Sequence, residues 1–321
     1  MRLFRILTAS FIFLLVCVSF LIYSFINEKP SKGSKMIYPF SFLAQNFAPF
    51  TYRDDLWFPK ITSVFDSGIT KPDITAKAAV SYDLTTDKLL FNKNIDVRYP
   101  IASLSKIMTA VIALQSYNLD KKITINKFAA SIGEDVMGTS EGEEYFLKDL
   151  LYGLILHSGN DAAEAIASAD PGGRENFIYL MNKKAEDLGL SETHFTNPTG
   201  LEGDGRQYSS VYDLLVITRF ALLNSDFAKI VSTYEYEIPY SEKHKEIDLF
   251  NETNLLTSYP GVEGVKTGYT DEAGLCLVSY LNFQGHKIIG ILLGSQNRRQ
   301  EMIDLLDYSL ETLGTTPPPH S

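Results

Sequence analysis

The chain has 321 residues, 45% hydrophobic and 21% charged, a composition that fits a globular protein with a full core and excludes a disordered one. A formal charge of -10 argues against nucleic acid as a partner, and no acidic or basic block is long enough to serve as a binding tail. The two cysteines (Cys17, Cys276) and five scattered histidines offer no pair at ligand spacing, so no metal site is expected.

Arg2 and Arg5 precede a mostly apolar run, Ile6 to Ile26, of about 21 residues, enough to span a bilayer with the N-terminus left in the cytoplasm. The exit Ile22-Tyr23-Ser24-Phe25-Ile26 is a poor cleavage site, and no lipobox surrounds Cys17. Residues 1–26 therefore read as an uncleaved membrane anchor, with a cleaved secretion signal as the alternative. Both place the remainder outside the cytoplasm, the first as a single-pass membrane protein. Residues 27–73 form a juxtamembrane segment, aromatic-rich from Tyr38 to Phe65 (Phe40, Phe42, Phe47, Phe50, Tyr52, Trp57, Phe58), unlike a flexible linker.

Ala78–Asp83 and Lys88–Asn92 flank the polar turn Leu84-Thr85-Thr86-Asp87 and predict a hairpin. Helical periodicity then runs from Ser103 to Ser116, and further helices are predicted at Leu147–His157, Asp161–Ala169, Arg174–Leu188 and Ser209–Leu223. Gly264–Lys266, Leu275–Leu281 and Lys287–Leu293 read as strands, followed by a last helix from Arg299 to Leu313. Pro317-Pro318-Pro319 cannot continue it, so 315–321 is expected to be a disordered tail. Strands at both ends with helices between predict a mixed α/β domain over 74–314. Its sheet is mainly antiparallel, built from both termini and covered by helices.

Three short patterns carry chemistry. Ser103 and Lys106 lie one turn apart at a helix start, so a hydroxyl and an amine share a face. Such a serine is a nucleophile only if its neighbour is a base, and a lysine is a base only if burial or a nearby cation lowers its pKa from about 10.4. Ser-x-x-Lys alone is equally an ordinary helix cap with an exposed lysine. Ser158-Gly159-Asn160 occupies a break between two helices, where Asp161 is placed to cap the second. Lys266-Thr267-Gly268 ends a strand. Each is commonplace in isolation. A rival signature, Gly138-Thr139-Ser140-Glu141-Gly142, fits Gly-x-Ser-x-Gly, but Ile132 to Met137 is a poor buried strand to lead into it, and a polar surface loop is the better reading.

Taken in order, Ser-x-x-Lys, Ser-x-Asn and Lys-Thr-Gly form the motif set of penicillin-binding proteins and serine β-lactamases. The stretches Pro100–Ala110, Ser158–Ala163, His194–Leu201 and Gly264–Thr270 resemble the low-molecular-weight penicillin-binding proteins that act as serine-type D-alanyl-D-alanine carboxypeptidases. The resemblance covers roughly Ile74 to Leu313. It implies a β-lactamase/transpeptidase-like fold and an enzyme of peptidoglycan metabolism without metal or organic cofactor. Ser103 would attack the carbonyl between the two D-alanines of a stem peptide, with Lys106 as base, Ser158 as proton relay and Asn160 holding Lys106. Lys266 would keep the pocket electropositive, and the backbone N–H groups of Ser103 and Tyr269 (after Gly268) would form the oxyanion hole. Thr267 and Arg298 would grip the terminal carboxylate, and β-lactam antibiotics would trap the acyl-enzyme. The resemblance leaves open an endopeptidase acting on cross-links, a class A-like β-lactamase and a membrane-tethered peptidoglycan binder without catalysis. Intact Ser103, Lys106 and Lys266 argue against the last.

Overall fold

The computed structural model describes residues 56–320, apart from Thr62 and Asp66. The anchor expected at 1–26 and most of the aromatic segment lie outside the described residues. Among the described residues no helix is long and apolar enough to cross a membrane.

The elements run in the order β1 (Ala78–Asp83), β2 (Lys88–Lys93), a 3-10 turn (Ala102–Leu104), α1 (Ser105–Ser116), β3 (Lys122–Thr124), α2 (Lys127–Ser131), β4 (Glu144–Phe146) and α3 (Leu147–Leu156). They continue through α4 (Asn160–Ser168), α5 (Gly173–Asp187), α6 (Val211–Leu222), α7 (Ser225–Val231), β5 (Glu235–Ile238), β6 (Ile247–Phe250) and α8 (Leu255–Ser258). Last come β7 (Val262–Thr270), β8 (Gly274–Phe283), β9 (His286–Ser295) and α9 (Arg298–Thr312).

The main sheet has five strands in the order β2-β1-β9-β8-β7, with every neighbouring pair antiparallel. It is built from both ends of the domain, as the strand pattern predicts. The central strand β9 is apolar almost throughout because both faces of the sheet are covered. Ile288 and Leu292 join one core with Met302, Leu305 and Leu306 of α9, while Ile289, Ile291 and Leu293 join a second core shared with the helices between β2 and β7. A side chain at Gly290 would meet Met302 Sδ at 2.7 Å, so α9 lies directly on the strand there.

Helix α1 runs through the middle of the helical layer. Nine consecutive residues, Ser105 to Ala113, are buried, which accounts for an apolar pattern wider than one face. Ser210 caps α6 by accepting from Asp213 N at 3.1 Å, which starts the helix two residues after the predicted Ser209.

Three features differ from the sequence reading. The helix expected from Ser103 begins with a 3-10 turn, and the α-helix proper starts at Ser105. Two small hairpins, β3–β4 and β5–β6, arise where the strands have only three or four residues, too few to show alternation. Residues 315–320 carry no regular structure, yet they dock: Pro318 is buried, and His320 stacks on Tyr259 at 5.0 Å with Nε2 2.9 Å from Asp307. The described end of the aromatic segment also packs on the domain, with Trp57 edge-on to Tyr82 at 5.5 Å and Lys60 N donating to the Tyr82 hydroxyl.

Candidate active site

Ser103 lies in the 3-10 turn that leads into α1, preceded by Ala102 at φ 47°. Two glycines shape the backbone there. Gly200 has φ +92°, and a Cβ on it would fall 2.1 Å from Ala102 O and 2.8 Å from Ser103 N. Gly268 faces the turn from β7, where a Cβ would sit 3.1 Å from Ser103 N and 3.3 Å from Ile101 O. The nucleophile candidate is thus clamped between the loop that carries Gly200 and the strand that carries Lys266-Thr267-Gly268. Its side chain remains partly open to solvent.

Lys106 is fully buried one turn on. Its Nζ lies 2.8 Å from Ser103 Oγ, 2.8 Å from Asn160 Oδ1 and 2.6 Å from Thr199 O. The last two are oxygens that only accept. A charged ammonium donates to all three, whereas a neutral amine has two hydrogens and one lone pair. Given to Asn160 and Thr199, those hydrogens leave the lone pair facing the Ser103 hydroxyl, which then donates to it. The surroundings favour the neutral form. Burial, and then the charge of Lys266, drive the Lys106 pKa well below the ordinary lysine value, against a smaller opposing pull from Asp135, Glu252 and Glu134.

Asn160 opens α4, and its Nδ2 donates to Gly133 O at 3.1 Å, which fixes the amide so that Oδ1 points at Lys106. Ser158 sits two residues earlier in the α3–α4 turn, buried and at φ 56°. The turn is closed by Gly159 N donating to Gly153 O at 2.9 Å. Asp161 does more than cap α4. Its Oδ1 accepts from Met137 N and Ala162 N, and its Oδ2 accepts from Gly138 N, Thr139 N and Thr139 Oγ1, all within 3.0 Å. This carboxylate ties the loop at the rim to the helix behind it. Ser140 of the rival signature lies beyond that loop, exposed, with no strand leading into it.

Lys266 on β7 is 1% exposed, and burial pushes its pKa down to about 8, helped by Arg298 and opposed by Glu252 and Asp135. The neighbouring Thr267 hydroxyl donates to Glu252 Oε2 at 3.3 Å. Arg298, the first residue of α9, donates through Nη1 to Gly268 O at 2.8 Å, so it braces the strand as well as carrying charge. Tyr269 is exposed, its hydroxyl 2.9 Å from Asp271 Oδ1.

The proposed site residues fall into two groups: Ser103, Lys106 and Asn160 in one hydrogen-bonded cluster with Ser158 in the adjoining turn, and Lys266 to Tyr269 along β7, braced by Arg298 from the start of α9. Motif spacing alone did not show Thr199, Gly200, Asn197 or Glu252. Asn197 Oδ1 accepts from Thr199 N and Gly200 N and so holds the loop that delivers the Thr199 carbonyl to Lys106. The Asn-Pro-Thr-Gly run was visible as part of the resemblance, but a backbone carbonyl leaves no mark in a sequence.

A family profile described as D-alanyl-D-alanine carboxypeptidase matches residues 66–297. The D-alanyl-D-alanine carboxypeptidase DacF of Bacillus subtilis is 36% identical over 250 residues, covering 75% of this chain and 64% of its own length. The chain therefore spans somewhat less than two thirds of that relative. The D-alanyl-D-alanine carboxypeptidase of Streptomyces sp. K15 is 35% identical over 261 residues and is covered to 89%. The crystal structure of the Streptomyces K15 DD-transpeptidase superposes with a TM-score of 0.72 at 34% identity, covering 76% of this chain and 100% of that one. With Ser103 and Asn160 bonded to one buried lysine and the Lys266 charge acting on it, the chain belongs to the D-alanyl-D-alanine carboxypeptidase family of low-molecular-weight penicillin-binding proteins.

Proposed function

We propose that this chain is a serine-type D-alanyl-D-alanine carboxypeptidase that removes the terminal D-alanine from peptidoglycan stem peptides. The observation that carries the reading is the buried Lys106 amine, with two acceptor-only partners and its remaining contact on Ser103 Oγ. In this reading Ser103 gives its proton to Lys106 as Oγ bonds to the carbonyl carbon between the two D-alanines. The backbone N–H groups of Ser103 and Tyr269 take the developing oxyanion, a contribution of several kcal/mol in related acyl transfers. Ser158 passes the proton to the leaving amine, the C–N bond breaks, and D-alanine departs. Water then hydrolyses the ester on Ser103. Lys266, Thr267 and Arg298 hold the terminal carboxylate. A β-lactam opens on Ser103 by the same attack.

A fluorescent penicillin tests the assignment directly. Label should map to Ser103, and Ser103→Ala should lose both the label and D-alanine release. Label on Ser140, or none on the unaltered chain, would overturn the reading. The Streptomyces K15 relative is also named a DD-transpeptidase, and an acyl-enzyme can be released by an amine as well as by water. Adding an amine acceptor therefore measures how the intermediate partitions, and efficient cleavage of cross-linked dimers would indicate an endopeptidase.

The same reading places the enzyme at a bacterial cell membrane with its site outside the cytoplasm. Its support is the apolar run Ile6 to Ile26 behind Arg2 and Arg5. Retention of Met1 or its neighbours and resistance to alkaline extraction are expected. A soluble form starting between Asn27 and Met36 would mean a cleaved signal instead.

A further inference from the structure

Glu252 is the one acidic side chain bonded to a residue of the Lys-Thr-Gly motif among the described hydrogen bonds, and it sits on a backbone held in place on both sides. Asn251 and Thr253 are buried to 6% and 2% exposure, whereas Glu252 between them is exposed. Asn251 N donates to Tyr234 O and its Nδ2 to Thr233 O at 3.0 Å, while its Oδ1 accepts from Thr253 N at 2.9 Å. Glu252 N itself donates to Leu156 O at 3.1 Å, two residues before Ser158. The turn thus presents one solvent-facing carboxylate between the Ser-x-Asn loop and β7, and that carboxylate accepts from the Thr267 hydroxyl at 3.3 Å.

Thr267 is one of the groups assigned above to the substrate's terminal carboxylate. A hydroxyl has one hydrogen to donate, so it serves Glu252 or the substrate, not both at once. Two carboxylates at one hydroxyl also repel, and that repulsion is strongest at low salt. Glu252 acts on the pocket's cations too. It partly offsets the lowered pKa of Lys106, Lys266 and Arg298, as a negative charge within reach of all three must.

We propose that Glu252 is a specificity-determining residue whose carboxylate occupies the Thr267 hydroxyl in the free enzyme and must swing into solvent before a substrate carboxylate can enter. The proposal rests on the carboxypeptidase reading. It makes affinity for the free C-terminal carboxylate lower than Lys266, Thr267 and Arg298 would otherwise give. Peptides without a negative charge at that point are spared the competition. Glu252 therefore narrows the enzyme's preference for free carboxylate ends over amide-linked ones.

The test compares the full chain with Glu252→Gln and Glu252→Ala on a peptide ending in free D-Ala-D-Ala and on its C-terminally amidated analogue. Gln keeps an acceptor for Thr267 and removes the charge, while Ala removes both. In both variants the ratio of the KM for the amide to that for the acid should rise about 3- to 10-fold, and added salt should shrink the gap to the unaltered enzyme. The second-order rate of acylation by penicillin, itself a carboxylate, should rise in parallel. An unchanged ratio in both variants would overturn the proposal. So would a loss confined to Glu252→Ala, because it would mean Glu252 only orients Thr267. Failure of the unaltered chain to be acylated by penicillin would overturn the carboxypeptidase reading itself, and the proposal with it.

Discussion

Replacing Gly200 with alanine puts a methyl group into backbone that has no room for it. The new Cβ would lie 2.1 Å from Ala102 O and 2.8 Å from Ser103 N, and the residue would keep φ +92°. Gly203 provides the control: it has φ +109°, but a Cβ there would meet nothing within 4 Å. Gly203→Ala should therefore cost only the backbone term, about 1–3 kcal/mol for a side chain held at positive φ. Gly200→Ala should cost that plus about 1–3 kcal/mol of overpacking, because the opposing atoms are backbone and cannot rotate away. Urea denaturation of the two variants measures the difference. The second readout is kinetic: relief of the clash requires the Ala102–Ser103 turn to shift, and about 1 Å of misplacement at a reacting group costs on the order of 100-fold in rate. Acylation of Ser103 should fall by about that factor in Gly200→Ala and stay within a few-fold in Gly203→Ala. Equal stability losses, or a normal acylation rate in a destabilised Gly200→Ala, would refute the claim that Gly200 shapes the nucleophile turn.

Three further predictions concern the charges. Acylation should rise with pH through an apparent pKa well below the ordinary lysine value, and Lys106→Arg should be nearly inactive because a guanidinium does not deprotonate; a pH–rate profile checks both. Lys266→Met should stabilise the fold while impairing acylation. A lysine held at about 8 instead of 10.5 costs about 3 kcal/mol while charged, a penalty present in full below pH 8 and relieved as pH rises toward 10.5, so the stability gain in urea should be large at pH 7 and small at pH 10.5. Arg298→Ala should lower turnover of peptides ending in a free carboxylate by roughly 10- to 150-fold, the cost of about 1.5–3 kcal/mol for a lost charged partner, and should affect an amidated analogue less. Because Arg298 also donates to Gly268 O, a smaller loss common to both substrates is expected from the loosened strand.

Elements with long, periodic patterns were legible in the sequence. β1, β8, β9 and helices α3 to α6 appear within a few residues of their predicted bounds, since each buries a full face or two. The pairing of Ser103 with Lys106 and the Lys-Thr-Gly strand were legible because the chemistry proposed for them needs particular residue types at fixed spacing. What escaped was set by contacts distant in the chain. The α1 start is reshaped by Gly200, about 100 residues away, and Asp161 works on a loop more than 20 residues before it. The docked tail depends on Tyr259 and Asp307, which nothing in a proline-rich end announces. Glu252 looked like any surface acid until Thr267 was placed beside it.

The sheet built from both termini also dictates a timetable. Ala78 pairs with Leu293, 215 positions later (293 minus 78), and closing so long a loop costs about 5 kcal/mol in chain entropy plus a constant. Until β9 is made, β1 and β2 are a lone ribbon, which is marginal in water. At synthesis rates of about 5–20 residues per second, the interval from β2 to β9 lasts on the order of 10–40 seconds. During that time an apolar strand edge stays unpaired and the α9 face of the sheet has no cover. A growing chain that stops short of residue 295 thus has Ser103 and Lys106 but no completed sheet to press Gly268 against the Ile101–Ser103 turn. Closure this late in the chain predicts slow refolding from urea, with penicillin labelling of Ser103 returning only after β1 and β9 have paired.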